Sequence, residues 1–168
     1  VAVILFKKEY VMKKYKAIDI ARWFIDRNCE DVNNGEDEKM TLLKLLKLLY
    51  YAEGCSLALD RGSLFDEKIL AWEHGPVVEE VWRSFGNAYD LQTDEEDMVR
   101  SLSKISEEDK ELLEDVYAVF GKYSASGLRN KTHAESPWLN ATQGGRRFNS
   151  EISRQSIMEY FKENYVKN

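Results

Sequence analysis

Residues 42–59, LLKLLKLLYYAEGCSLAL, restrict the fold of this chain more than any other stretch. Apolar side chains fall on almost every face of the helix that such a run predicts, and a helix apolar all round needs neighbours on most sides. Thr41 is placed to cap its start and Gly62 to stop it, so a central helix is expected from Thr41 to about Asp60. Gly54 inside it should cost about 1 kcal/mol against alanine, and close approach of another backbone is the expected compensation. Lys47 has Tyr50 and Tyr51 at three and four residues. Its stem is expected to lie along those rings while the ammonium snorkels to solvent or to a carboxylate.

The remaining pattern supplies those neighbours. In KAIDIARWFIDRN, Ala17, Ile20, Ala21, Phe24 and Ile25 share one helical face, and DVNNGEDEK then breaks it. Ser106 with Asp109 predicts a capped helix whose buried face is Leu112, Leu113, Val116, Tyr117 and Phe120. Ser124 is expected to cap a short helix over ASGLRNKT. Ser136–Pro137 is expected to open another and Ser150 the last. The piece SLFDEKILAWEHG is short, bounded by glycines and rich in strand formers, which predicts a strand or hairpin near residues 64–74. Gly75–Pro76 then reads as a strand-to-helix corner with Pro76 in the helix's first turn. Residues 86–106 have weak periodicity and clustered acids, and read as an exposed loop with a short turn at most. The expected fold is mainly α: a compact single-domain bundle of five to seven helices with this one β feature. Residues 1–11, which open VAVILF, read as a disordered extension before a single domain over 12–168, with Met12 a plausible start.

Charge and cysteine content narrow the functions. The 168 residues carry a formal charge of −6, which opposes sequence-independent nucleic-acid binding, since that affinity rests on neutralising phosphates. Lys7, Lys8, Lys13, Lys14 and Lys16 form one local basic cluster, read as a solvated leader. Cys29 and Cys55 lack the spacing of a zinc knuckle or redox pair, and Cys55 is expected as a buried free thiol in a reducing cytoplasm. Six apolar residues cannot span a membrane.

No chemistry is spelled out. His74 and His133, with Glu73 and Glu135 close by, lack a zinc-site spacing, and backbone hydrogen bonds at turns are the expected role of both rings. Neither a nucleophile elbow nor a phosphate loop is present, so no catalytic residue and no cofactor is assigned. What remains is aromatic: Trp72, Trp82 and Trp138, with Tyr50 and Tyr51, exceed the needs of a small core. Core packing accounts for most of them, and a shared exposed groove is the functional alternative, because tryptophan and tyrosine anchor interfaces.

Three motifs, in order and spacing, resemble the Panacea antitoxin domain family, also described as SocA-like or phage-associated GepA-type. They are the run Lys47 to Ala52; the corner Ala71, Trp72, Gly75, Pro76, Val77; and the segment Thr132, His133, Glu135, Pro137, Trp138. The resemblance covers roughly residues 16–165. It implies a cytoplasmic bacterial or phage antitoxin that neutralises a toxin by direct binding, alarmone-synthetase-like toxins being among the partners, and no enzymatic step. One branch implies the alternative of an adaptor that delivers its toxin to a protease; a metal-dependent hydrolase is the other alternative. The expected partner face is the corner at 71–85, formed from Tyr50, Tyr51, Trp72, His74, Trp82, His133 and Trp138, with acids at 94–97 beside it. Lys47, Gly75, Pro76, Val77, Thr132, Glu135 and Pro137 are expected to build its frame.

Overall fold

The computed structural model describes residues 15–86 and 90–167, so the expectations for residues 1–11, Met12 and the lysine cluster up to Lys14 lie outside the described residues. The described residues form eight helices and three short strands. The fold class is as expected, with one helix more than the five to seven anticipated.

The central helix α2 (Leu42–Ala58) is capped by Thr41, whose Oγ1 accepts from the Lys44 N–H at 3.2 Å. Around it pack α1 (Ala17–Asn33), α5 (Glu107–Phe120), α6 (Ala125–His133) and α8 (Arg154–Asn164). The neighbours demanded by its all-round apolar surface are therefore all present, and one continuous core runs through them. Gly54 is where α8 comes closest. A Cβ there would lie 2.3 Å from the Phe161 ring, so the approach Gly54 permits is that of an aromatic side chain rather than of another backbone.

Helices α5 and α6 begin at Ser106 and Ser124, whose hydroxyls accept from Asp109 and Gly127 N–H groups as expected. The five residues assigned to the buried face of α5 are all buried. Two other caps are corrected. The cap position of α7 (Ser136–Ala141) is Glu135, with Ser136 already helical and Pro137 within the first turn. Ser150 lies in a strand, and Ser153 caps α8 through Ser156 N–H.

The largest correction is α4 (Glu95–Lys104), in the stretch read as loop. Asp94 caps it and three acids occupy its first turn, which suits the helix dipole. Polar groups pin it to α1: Ser101 Oγ donates to Asp19 at 2.6 Å and Arg22 bridges Ser101 and Asp97. Met98, Leu102 and Ile105, at helical spacing, turn to the core beside this seam, so an apolar stripe is present in the stretch but short and set among acids.

Strands β1 (Leu70–Trp72), β2 (Gly75–Val77) and β3 (Ser150–Glu151) form an antiparallel sheet in the order β2-β1-β3. The hairpin thus spans 70–77, later than the 64–74 expected, while Phe65 makes only an isolated bridge with Tyr15. Pro76 is a strand residue paired with Ala71, and the next helix, α3 (Glu79–Phe85), starts beyond it. The corner reading is therefore wrong. Proline is tolerated here because β2 is an edge strand: the Pro76 carbonyl points off the sheet, and the N–H that proline lacks would have pointed the same way.

Candidate functional site: an aromatic groove beside the hairpin

The hairpin, the first turns of α2, α3 and the loop before β3 enclose a groove of about 630 Å³. Its floor is Leu42, Leu43, Leu46 and Val77; its walls are Trp72, Trp82 and Phe148. Trp72 and Trp82 meet edge to face, with centroids 5.4 Å apart. Trp72 is fixed at both ends: its Nε1 donates to Asn149 Oδ1 at 3.0 Å, and its carbonyl accepts from Trp138 Nε1 at 2.9 Å. Trp82 is 38% exposed and Phe148 44%, unusual for side chains of this size. Glu73, His74 and Glu79 form the polar rim.

Beneath the hairpin the side chains are framework. Gly75 has φ +107°, and a Cβ on it would stand 2.6 Å from Lys47 Cε and 2.8 Å from Thr132 Oγ1, so only glycine lets β2 settle onto α2 and α6. Lys47 does not snorkel. It is 0% exposed, and its Nζ donates to the Pro76 carbonyl at 2.9 Å. Burial, reinforced by the nearby Arg129 charge, lowers its pKa to about 7.

That shift has a measurable sign. Lys47 is bound more weakly to its proton in the folded chain than at the ordinary lysine value of about 10.5, so the unfolded chain holds the extra proton between these limits. Stability should therefore rise with pH from about 7 upward. Relative to Lys47→Met, the wild-type chain is expected to gain about 1.4 kcal/mol per pH unit above about pH 7.5, read from denaturant midpoints. A pH-independent difference between the two would contradict this placement of the ammonium.

The second buried constellation is acidic. Glu135 is buried, with both carboxylate oxygens 3.2 Å from the Tyr51 hydroxyl that donates to them, and Tyr165 donates to Oε2. Burial raises the Glu135 pKa, partly offset by the Tyr165 and Tyr51 hydrogen bonds. The Tyr50 hydroxyl adjoins this cluster and is raised well above its ordinary pKa, first by burial and then by the Glu135 charge, but it makes no well-formed hydrogen bond. These groups tie α2, α7 and the chain after α8 together.

The expected face thus divides. Trp72, His74 and Trp82 reach the groove. Tyr50, Tyr51 and Trp138 are core, and His133, stacked on Trp138 at 4.0 Å, supports the hairpin from behind. Val77 lines the floor, whereas Thr132, Glu135 and Pro137 are buried frame. Phe148 was not anticipated; the sequence signal for it was an aromatic directly after the turn QGGRR, which β3 pairing carries to the hairpin. Cys55 is a free, half-buried thiol whose pKa burial pushes up to about 12, the reverse of an activated nucleophile. Among the described residues no group of three or more His, Cys, Asp or Glu is placed to hold a metal ion, and no helix is long and apolar enough to cross a membrane.

The chain belongs to the family described as antitoxin SocA-like, Panacea domain, which matches residues 45–139, more than half of it. That stretch begins inside α2 and ends in α7, and so contains the hairpin, Lys47 beneath it, and Tyr50, Tyr51 and Glu135 of the acidic cluster, though not Tyr165. No curated protein and no solved structure matches the chain.

Proposed function

We propose that this chain is a cytoplasmic antitoxin that neutralises its toxin by direct contact, seating an apolar segment of the toxin in the groove between the hairpin, α3 and the start of α2. The observation that carries the reading is the convergence of Trp72, Trp82 and Phe148, from β1, α3 and the loop before β3, on one open apolar groove. Large aromatics left exposed are costly unless a partner covers them, and tryptophan leads among residues whose truncation weakens an interface. Glu73 and Glu79 on the rim, within a chain of net charge −6, favour a basic toxin surface by speeding encounter. The acting unit is proposed to be one domain over 12–168, since α1 and α8, outside the matched stretch, bury their apolar faces in the same core.

The test is co-expression with the protein encoded beside it. Growth should be restored and the two proteins should co-purify. Trp82→Ala should weaken the complex by at least about tenfold, as loss of an interface anchor does, with little change in thermal midpoint because Trp82 is already partly in solvent. Full protection and unchanged affinity in Trp82→Ala would refute docking at this groove. A toxin that vanishes only when a cellular protease is present would replace occlusion with delivery.

A further inference from the structure

Five arginines are half-buried, and four of them face carboxylates. Arg22 meets Asp97, Arg27 meets Asp31 and Glu114, Arg61 meets Asp109, and Arg154 meets Glu53. The fifth, Arg129 on α6, has neither a hydrogen bond nor an ion pair for its guanidinium among the described residues, and its Nε is buried without a partner. In a chain with 30 acids against 24 lysines and arginines, that isolation is not for want of carboxylates.

Arg129 also stands among groups that share its sign whenever they hold a proton. One helical turn on, at i+4, is His133, whose Nε2 is likewise buried and unpartnered. Lys47 approaches from α2, with only the Pro76 carbonyl on its Nζ and no acid in ion-pair range among the described residues. From the hairpin tip, His74 adds a further cationic influence on His133, while a backbone group of Glu73 hydrogen-bonds to its ring. Trp138 stacks on one face of the imidazole. Desolvation and the Arg129 charge both lower the pKa of Lys47 and of His133, as expected where positive groups cluster without an anion.

An unpaired buried donor is unfavourable, and so is protonating Lys47 or His133 beside the Arg129 charge. One ligand chemistry removes both. An oxyanion matches the planar fork of a guanidinium with two parallel hydrogen bonds and cancels the local charge. We propose that Arg129 and His133, backed by Lys47, form an oxyanion-binding site beside the hairpin tip, taking a carboxylate or a phosphate. The site is defined without reference to a toxin and stands or falls separately from docking in the groove.

The test is side-chain NMR of the ¹⁵N-labelled full chain, titrated with sodium phosphate and separately with sodium acetate, against sodium chloride at equal ionic strength. The expected result is a saturable shift of the Arg129 Nε–H resonance and an upward move of the His133 pKa by about one unit. Arg129→Gln should lose the His133 response while keeping its far-ultraviolet circular dichroism, and Arg146→Gln, at an exposed arginine, should retain it. Saturation by both anions identifies a site that a protein carboxylate can fill; saturation by phosphate alone supports the site as one for phosphates. The wild-type titration needs no variant to be decisive: if neither anion gives a saturable shift at Arg129, the proposal is wrong. It is equally wrong if a folded Arg129→Gln chain shows the same His133 response.

Discussion

Arg154→Ala is expected to destabilise the chain by about 3–5 kcal/mol, the usual cost of removing one partner from a buried ion pair. Arg154 holds three groups at once. Its Nε donates to Glu53 at 3.0 Å, and one terminal nitrogen donates to the carbonyls of Phe65 and Glu67 at 2.9 and 2.7 Å. Glu53 is 0% exposed, on the central helix, and accepts otherwise from the Leu64 N–H at 2.8 Å. Without the guanidinium it would be a buried carboxylate with no counter-charge. Burial already raises its pKa, with Arg154 as the largest opposing influence. Removing Arg154 should raise that pKa further. The sign then follows: a carboxyl with a raised folded pKa favours the folded state at low pH and loses that advantage as pH rises past the unfolded value of about 4.5 towards the folded one. The deficit of Arg154→Ala should therefore be smaller near pH 4.5 than at pH 7. Chemical denaturation at both pH values measures it, and a deficit under about 1 kcal/mol, equal at both, would show that the pair contributes little.

Gly54→Ala tests the other close contact of the centre. On a solvent-facing helix this change would gain about 1 kcal/mol from propensity. Here the new Cβ would meet three atoms of the Phe161 ring at 2.3–2.5 Å, and that ring is fully buried between Tyr50, Tyr51 and Tyr165. The ring has nowhere to go without displacing α8. Overpacking of this kind outweighs propensity, and a net loss of about 2 kcal/mol is expected, or roughly 4–8 °C in thermal midpoint for a chain of this size. Phe161→Leu should recover part of that loss in the Gly54→Ala background, although it destabilises the wild type, because the two residues compete for one space. Additive losses would mean that the ring does not set the requirement for glycine.

Helices whose stability comes from apolar burial were legible in the sequence. The all-round apolar run of α2 and the single stripe of α5 fixed their roles, and Thr41, Ser106 and Ser124 marked starts that the structure keeps. Features that depend on distant polar partners were not. Helix α4 carries only the short stripe of Met98, Leu102 and Ile105 among acids, and the seam of Asp19, Ser101 and Arg22 that pins it to α1 has no local signature. Gly75–Pro76 suits either a helix start or an edge strand; Lys47, from another element, marks the outcome by taking the Pro76 carbonyl. The same contact explains why Lys47 stays inside rather than snorkelling.

For the candidate site, Trp72 and Trp82 could be picked out by type, since they share the 71–85 segment. Their burial could not. Tyr50, Tyr51 and Trp138, aromatics of the other two motifs, look equivalent in sequence, yet packing turns all three inward. Phe148 and Asn149 reach the groove only because β3 pairs with β1 across nearly half the chain's length, a long-range register that local periodicity does not encode. Arg129 is hidden for a related reason: its distinction is the absence of a partner, and that is visible only once every other half-buried arginine has been placed.

Amide hydrogen exchange of the chain with and without the neighbouring gene's product reads the partner-covered face without any substitution. The account predicts that added protection concentrates in 70–85 and 146–151, the hairpin, α3 and the approach to β3. Protection confined to α1 and α4, with these segments exchanging as in the free chain, would contradict it.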